Sequence, residues 1–274
     1  MKRLTLLLLG ALALPAFAAE RVISIGGDVT QIIYALDAQG DLVARDSTSQ
    51  HPAQANKLPD IGYMRQLNAE GILAMKPTLV LTSELAKPSL VLQQVESAGV
   101  KVVDVTGKTS LDAIPEKIAT IGKALHRDAE AKALIEKVNK QRAQIPQQPL
   151  PVKVLFVMAH GGMRTQAAGN QTGADAAIRS AGLVNAMAAI PHYQQLSQEG
   201  VVAAAPDLVV VGEDGLRTLG GEEKIWSLPG LALTPAGQHH ALLVVDEMAM
   251  LGFGLDTPET IVKLRKAAEA VKHD

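Results

Sequence analysis

Residues 67–81 read LNAEGILAMKPTLVL, and residues 196–210 read LSQEGVVAAAPDLVV. Set side by side, Leu, Glu, Gly, Ala, Pro, Leu and Val coincide at seven of fifteen positions. Each copy has one physical plan. A polar residue, Asn68 or Ser197, stands where a helix N-cap would be, and its side chain is the type that accepts from an orphan backbone N–H. A short apolar helix follows, Pro77 or Pro206 stops it, and a β-branched run continues as a strand. A second repeated unit lies nearer the start of each half, where the strand at Ile25 runs into Gly26-Gly27 and the strand before His160 runs into Gly161-Gly162. A chain that carries the same unit twice reads as two related lobes rather than one long sheet.

Outward from the first copy, Val22–Ile25, Leu42–Ala44, Thr78–Thr82 and Val100–Val105 read as strands. Ile32, Ile33 and Leu36 give the helix after Gly27 its buried face, with Asp28 as its expected cap. Leu90–Ala98 reads as a further helix between the third and fourth strands. Outward from the second copy, Lys153–Ala159, Asp207–Val211 and Leu242–Asp246 are strands. Strands alternating with helices predict an α/β fold: two similar Rossmann-like lobes with mostly parallel sheets covered on both faces.

Between the lobes, Ile114, Ile118, Ile121 and Leu125 mark one helical face. Asp128 then predicts the cap of a second helix over Ala129–Gln144, about 25 Å long and enough to cross from lobe to lobe. Pro146, Pro149 and Pro151 end it. The expected organisation is a signal peptide over 1–18, an N-terminal lobe over 19–110, a bridging helical segment over 111–145 and a C-terminal lobe over 146–274.

The signal reading rests on Lys2 and Arg3, an apolar run from Leu4 to Leu14, and Ala16-Phe17-Ala18 as a small-x-small cleavage site. That run is too short to span a bilayer, which takes about 20 apolar residues, so an exported protein of the periplasm is expected. Without Lys2 and Arg3, 24 basic residues face 28 acidic ones. That balance argues against nucleic acid and anionic membrane surfaces as partners. With no cysteine there are no disulfides and no lipid-modified cysteine.

Two lobes joined by a rigid helix leave a ligand cleft between them, and ligands of open parallel sheets bind beyond the carboxyl ends of the strands. The segments in question include Gly26-Gly27, Asp60–Gln66, His160–Arg164, Pro191–Gln195, Glu213–Gly221 and Glu247–Gly254, all read as loops. No nucleophile elbow, phosphate-binding loop or zinc-type histidine spacing is present, so no enzyme is expected. Met64, Met158 and Met163 fall near the cleft as an adaptable apolar lining. Met75, Met187, Met248 and Met250 are expected in the cores, and Trp226 as a packing anchor of the second lobe.

In Pro59-Asp-Ile-Gly-Tyr-Met-Arg-Gln-Leu67, an extended chain puts Tyr63 and Arg65 on the same side. A guanidinium beside a phenol favours the phenolate, a hard oxygen ligand that suits ferric iron, as in the tyrosine-ligated haem of catalases. On spacing alone, a lip tyrosine with its hydroxyl in solvent remains open.

The chain resembles the haem-binding proteins of bacterial haem ABC importers, within the helix-bridged class that also holds cobalamin and ferric-siderophore carriers. The resemblance runs through SIGGDVTQIIYALD, DIGYMRQLNAEGILAMKP, VMAHGGMRTQAAGNQTGAD and WSLPGLALTPAG. It implies ferric haem as transported cargo, with Tyr63 on the iron and Arg65 supporting the phenolate. It implies His160 as a second iron ligand, where position alone leaves a cleft lining or a propionate contact open. Arg217 is a candidate partner for a propionate or the phenolate, or else a solvated loop arginine. Tyr193 and His192 read as cleft lining or surface. Glu70 and Glu199 each stabilise a helix start as structure; the resemblance makes them the docking points for an inner-membrane ABC permease dimer. The protein is expected as a monomer that does not span the membrane. The same fold carrying cobalamin or a ferric siderophore is the nearest alternative, and a periplasmic enzyme or a metal-ion carrier are remoter ones.

Overall fold

Every residue of the first strand, β1 (Val22–Ile25), is buried, because helices cover both faces of its sheet. The computed structural model describes residues 20–87 and 89–272, and the expected signal peptide lies outside them. β1 joins β2 (Leu42–Arg45), β3 (Leu79–Ser83) and β4 (Lys101–Val105) in the order β2-β1-β3-β4, parallel throughout. Alternate side chains serve different cores. Val22, Leu79 and Leu81 pack on one face, and Ile23, Ile25 and Val80 on the other. Helix α1 (Gly27–Ala35) covers the first face with Val29, Ile32 and Ile33; Ile72 of α2 (Ala69–Ala74) and Leu92 and Val95 of α3 (Leu90–Ser97) cover the second.

Asp28 does not cap α1. Gly26, at φ +112°, starts the helix directly after the strand, and Asp28 falls inside the first turn, facing Lys117.

The tract between the lobes forms α4 (Ala113–Ala124) and α5 (Asp128–Arg142). Ile114, Ile118 and Ile121 join the core of the first sheet, as do Ala131 and Val138 of α5. The two helices approach so closely that a Cβ on Gly122 would stand 2.5 Å from that of Ala131. Asp128 is the first residue of α5 rather than its cap; Arg127 holds that position with no side-chain bond. At 15 residues α5 is about 22 Å long. Beyond it, Ile145 and Leu150 belong to the core of the second lobe, and Leu111 borders both cores.

The second lobe contains β5 (Lys153–Met158), β6 (Gln166–Ala168), α6 (Gly173–Ser180), β7 (Val184–Asn185), β8 (Tyr193–Gln195), α7 (Gln198–Ala204) and β9 (Leu208–Gly212). It continues through α8 (Glu213–Leu219), α9 (Glu222–Ile225), α10 (Pro235–His239), β10 (Leu242–Val245), α11 (Glu247–Leu251) and α12 (Thr257–Lys272). The same alternation organises it. Val154, Phe156 and Val210 pack toward α6 and α12, and Leu155, Val157, Val209 and Val211 toward α7, α9 and α10. Its sheet runs β10-β9-β5-β6-β8 and is mixed, since β6 and β8 pair antiparallel while β5, β9 and β10 are parallel. These added strands are three residues each and carry Gln, Ala and Tyr, so they have no hydrophobic period to announce them.

The repeat is real at the level of hydrogen bonds. Asn68 Oδ1 accepts from the Gly71 N–H and Ser197 Oγ from the Gly200 N–H, each at 3.1 Å. Trp226 packs in the second lobe's core, and His240 stacks on it at 5.2 Å between ring centroids. No helix among the described residues is long and apolar enough to cross a membrane.

Candidate functional site

The carboxyl ends of the two sheets face one another, and polar bonds join them. His51 Nε2 lies 3.0 Å from Asp246 Oδ2, and Gln31 Oε1 accepts from the Leu255 N–H at 3.0 Å. Thr48 and Gly27 of the first lobe meet Met248 of the second at this seam. Met248 is therefore exposed at the cleft and not in a core, because α11 begins at the strand end and carries it toward the other lobe.

Tyr63 is 44% exposed. The chain reaches it through Asp60, which pairs with Arg45 as a parallel bridge extending the sheet edge beyond β2. Burial alone would raise the Asp60 carboxyl, but the Gly62 N–H, the Ser47 hydroxyl and the Arg45 guanidinium outweigh it and hold the group below its ordinary range. Gly62, at φ +99°, gives the chain its bend. Residues 63–66 then close a turn, with the Gln66 N–H on the Tyr63 carbonyl at 2.7 Å. The segment is a turn and not extended, so strand alternation does not align Tyr63 with Arg65. Instead Met64, buried in the first lobe's core with its sulfur 4.0 Å from the Thr48 hydroxyl, pins the turn and leaves Tyr63 and Arg65 exposed on either side. Met64 is thus an anchor rather than pocket lining.

From the other lobe, His160 follows β5 and opens a turn closed by the Met163 N–H on its carbonyl. Its Nε2 is 3.3 Å from Glu247 Oε1, the first residue of α11. Burial raises the Glu247 carboxyl, the nearby His160 charge opposes that, and Asp214 and Asp246 add to the rise. Tyr193 lies close by. Burial and the Glu247 charge push its phenol up to about 12, against a bond to Thr172 that pulls the other way. Tyr193 is half-buried against the second lobe's core, and His192 is exposed.

The segments Glu213–Gly221 and Glu247–Gly254 contain helices instead of loops, because Gly212 and Asp246 sit at N-cap positions, Asp246 accepting from the Ala249 N–H. Arg217 accordingly lies on α8, where its guanidinium pairs with Asp214 one turn back. Glu70 and Glu199 are exposed in the first turns of α2 and α7, one on each lobe. The structure brings His160 together with Glu247, and Tyr63 with the Asp60 clamp; no hydrogen bond joins Tyr63 to Arg65. Glu247 and Asp60 were not singled out from sequence, although the rise of apolar Leu242–Val245 into Asp246-Glu247 was a usable signal.

Two α/β lobes, a helical bridge between them and a polar-seamed cleft at their strand ends define a binding protein of the helix-bridged class. The Periplasmic binding protein family matches residues 22–249, and the chain belongs to it. Among solved structures, the periplasmic haem-binding protein RhuT from Roseiflexus sp. RS-1 is 36% identical at a TM-score of 0.87, covering 93% of this chain and 99% of that one. The periplasmic haem-binding protein BhuT, in complex with two haems, is 34% identical at 0.86 over the same shares. The vitamin B12-binding protein of Yersinia pestis (strain Pestoides F) is 38% identical over 96 residues, 35% of this chain and 34% of that protein's length.

Proposed function

We propose that this protein captures ferric haem in the cleft and hands it to an inner-membrane ABC permease. Tyr63 supplies a phenolate to the iron and Arg65 the neighbouring positive charge, while His160 offers a nitrogen from the opposite lobe and Arg217 meets a propionate when it leaves Asp214. The observation that carries the reading is the fixed presentation of Tyr63: Met64 and Asp60 hold its turn, and its phenol is exposed with no side-chain hydrogen bond among the described residues. Likeness to haem-binding proteins over nearly the whole chain supports the same cargo.

Export to the periplasm, removal of residues 1–18 and a monomeric state belong to this reading, and family membership supports the compartment. So does docking through Glu70 and Glu199, whose exposure on separate lobes suits a partner with two matching sites. Haem here is transported ligand, and no enzymatic step is part of the proposal. The test is a visible-absorption titration of the mature protein with ferric haem, beside Tyr63→Phe. Saturable binding with a phenolate-type ferric spectrum that Tyr63→Phe abolishes is expected; an unchanged spectrum and affinity in that variant overturns the assignment.

The B12-binding likeness favours a second cargo, cobalamin, in the same cleft. Competition between cobalamin and haem for the wild-type protein separates the two.

A further inference from the structure

Glu247 carries three features that a solvated helix-start carboxylate does not need. Its side chain is only 18% exposed, one oxygen is 3.3 Å from His160 Nε2, and the other oxygen is buried with no hydrogen-bond partner. A buried carboxylate oxygen without a partner is costly, so something must hold the group in place. The room for it comes from Gly212. That residue has an ordinary φ of −71°, which any side chain tolerates, yet a Cβ there would lie 2.7 Å from Glu247 Oε2 and 2.9 Å from Glu247 Cβ. Glycine is required at 212 by the carboxylate and not by the backbone. Two elements, the end of β9 and the start of α11, are thereby shaped around the placement of one acid beside one histidine.

We propose that Glu247 is the positioning residue of His160. Its carboxylate accepts from the Nε2–H, which fixes the tautomer and leaves Nδ1 with the free lone pair. A histidine whose second nitrogen faces a carboxylate is a stronger donor to a metal, as the second shells of metal-bound imidazoles show. Coordination of iron at Nδ1 would release no proton, since the ring proton stays on Nε2 beside Glu247. Electron donation through the ring stabilises ferric over ferrous iron. The inference rests on the proposed role of His160 in haem binding and adds what sets the strength and redox state of that bond.

The experiment compares wild type, His160→Ala, Glu247→Gln and Gly212→Ala in ferric haem titrations, with the midpoint potential of the bound haem measured for each. Glu247→Gln keeps the size of the side chain and removes its charge; Gly212→Ala keeps the charge and pushes it off His160. Both are expected to weaken the His160-dependent binding by about tenfold and to move the potential to more positive values, with Tyr63-dependent spectral features retained. If His160→Ala alters stoichiometry or spectrum but Glu247→Gln leaves affinity and potential at wild-type values, Glu247 does not position the ligand and the inference falls alone. If His160→Ala changes nothing, the role of His160 falls and takes the inference with it.

Discussion

Lys117 Nζ donates to Asp28 Oδ2 at 2.6 Å inside the protein, and the carbonyls of Gly252 and Phe253 accept its other two protons at 2.9 and 3.0 Å. The groups that meet come from three parts of the chain: Asp28 from α1 of the first lobe, Lys117 from α4, and the two carbonyls from the stretch before α12 of the second lobe. All three ammonium donors are used, so the lysine ties the lobes together. The side chains are 1% and 6% exposed, and a charge so deep is tolerated only when paired and hydrogen-bonded.

Lys117→Met leaves Asp28 as an uncompensated buried charge and two carbonyls without donors. A loss of about 3–5 kcal/mol is expected, read as a lower midpoint in urea unfolding. Adding Asp28→Asn should recover part of the loss, since the stranded charge goes with it. A single variant of wild-type stability would show that the tie contributes nothing.

Tyr193 should serve stability at alkaline pH and leave the haem spectrum alone. The folded protein keeps the Tyr193 proton from its ordinary 10.0 up to about 12, a range in which the unfolded chain has lost it. That contribution is whole below pH 10.0 and disappears as pH rises through about 12. Tyr193→Phe should therefore show a shallower fall in Tm across that alkaline window while its ferric haem spectrum stays as in wild type. A Tyr193→Phe protein that lost the phenolate signature would move the iron ligand from Tyr63 to Tyr193.

Asp60 has the reverse sign. Its carboxyl is held below the ordinary 3.8, so its stabilising effect is present above that value and is lost as pH falls through the lower folded one. Thermal unfolding of wild type and Asp60→Asn should differ at neutral pH and converge in strong acid. Because the clamp sets the turn of Tyr63, the same variant should bind haem more weakly at neutral pH. Parallel acid limbs in the two proteins would contradict the clamp.

Charge reversal at the docking points should separate cargo binding from delivery. Glu70→Lys and Glu199→Lys lie on exposed first turns, where each change costs the helix about 0.3–1 kcal/mol of favourable dipole interaction. Haem binding should persist, while haem-dependent ATP hydrolysis by the reconstituted permease should fall, most in the double variant. Undiminished stimulation by the double variant would remove the two glutamates from the interface.

Much of the fold is legible because it is written in periods. The seven long strands are apolar runs that alternate between two cores, as Val22 and Ile23 do, and Asn68 and Ser197 cap their helices as residue type alone suggests. The short strands Gln166–Ala168 and Tyr193–Gln195 escaped, since three polar or small residues carry no period and pair only because β5 offers an edge. Met248 and Met64 exchanged places for a related reason. A methionine's composition does not say which way it points, and in each case the element bearing it decided: α11 carries Met248 to the seam, and the turn at 63–66 drives Met64 inward.

The sequence by itself determined the two-lobed α/β plan, its internal repeat and the helical tract between the lobes. Each depends on neighbours along the chain, through caps, breakers and hydrophobic period. Only the tertiary structure decided that Asp28 serves Lys117 rather than its own helix, that Arg217 answers to Asp214, and that Glu247 stands against His160 in the space Gly212 leaves. The Asp28 and Glu247 contacts join residues 89 and 87 positions apart. No local pattern encodes such a meeting; it follows from the way two sheets turn their carboxyl ends toward a common cleft.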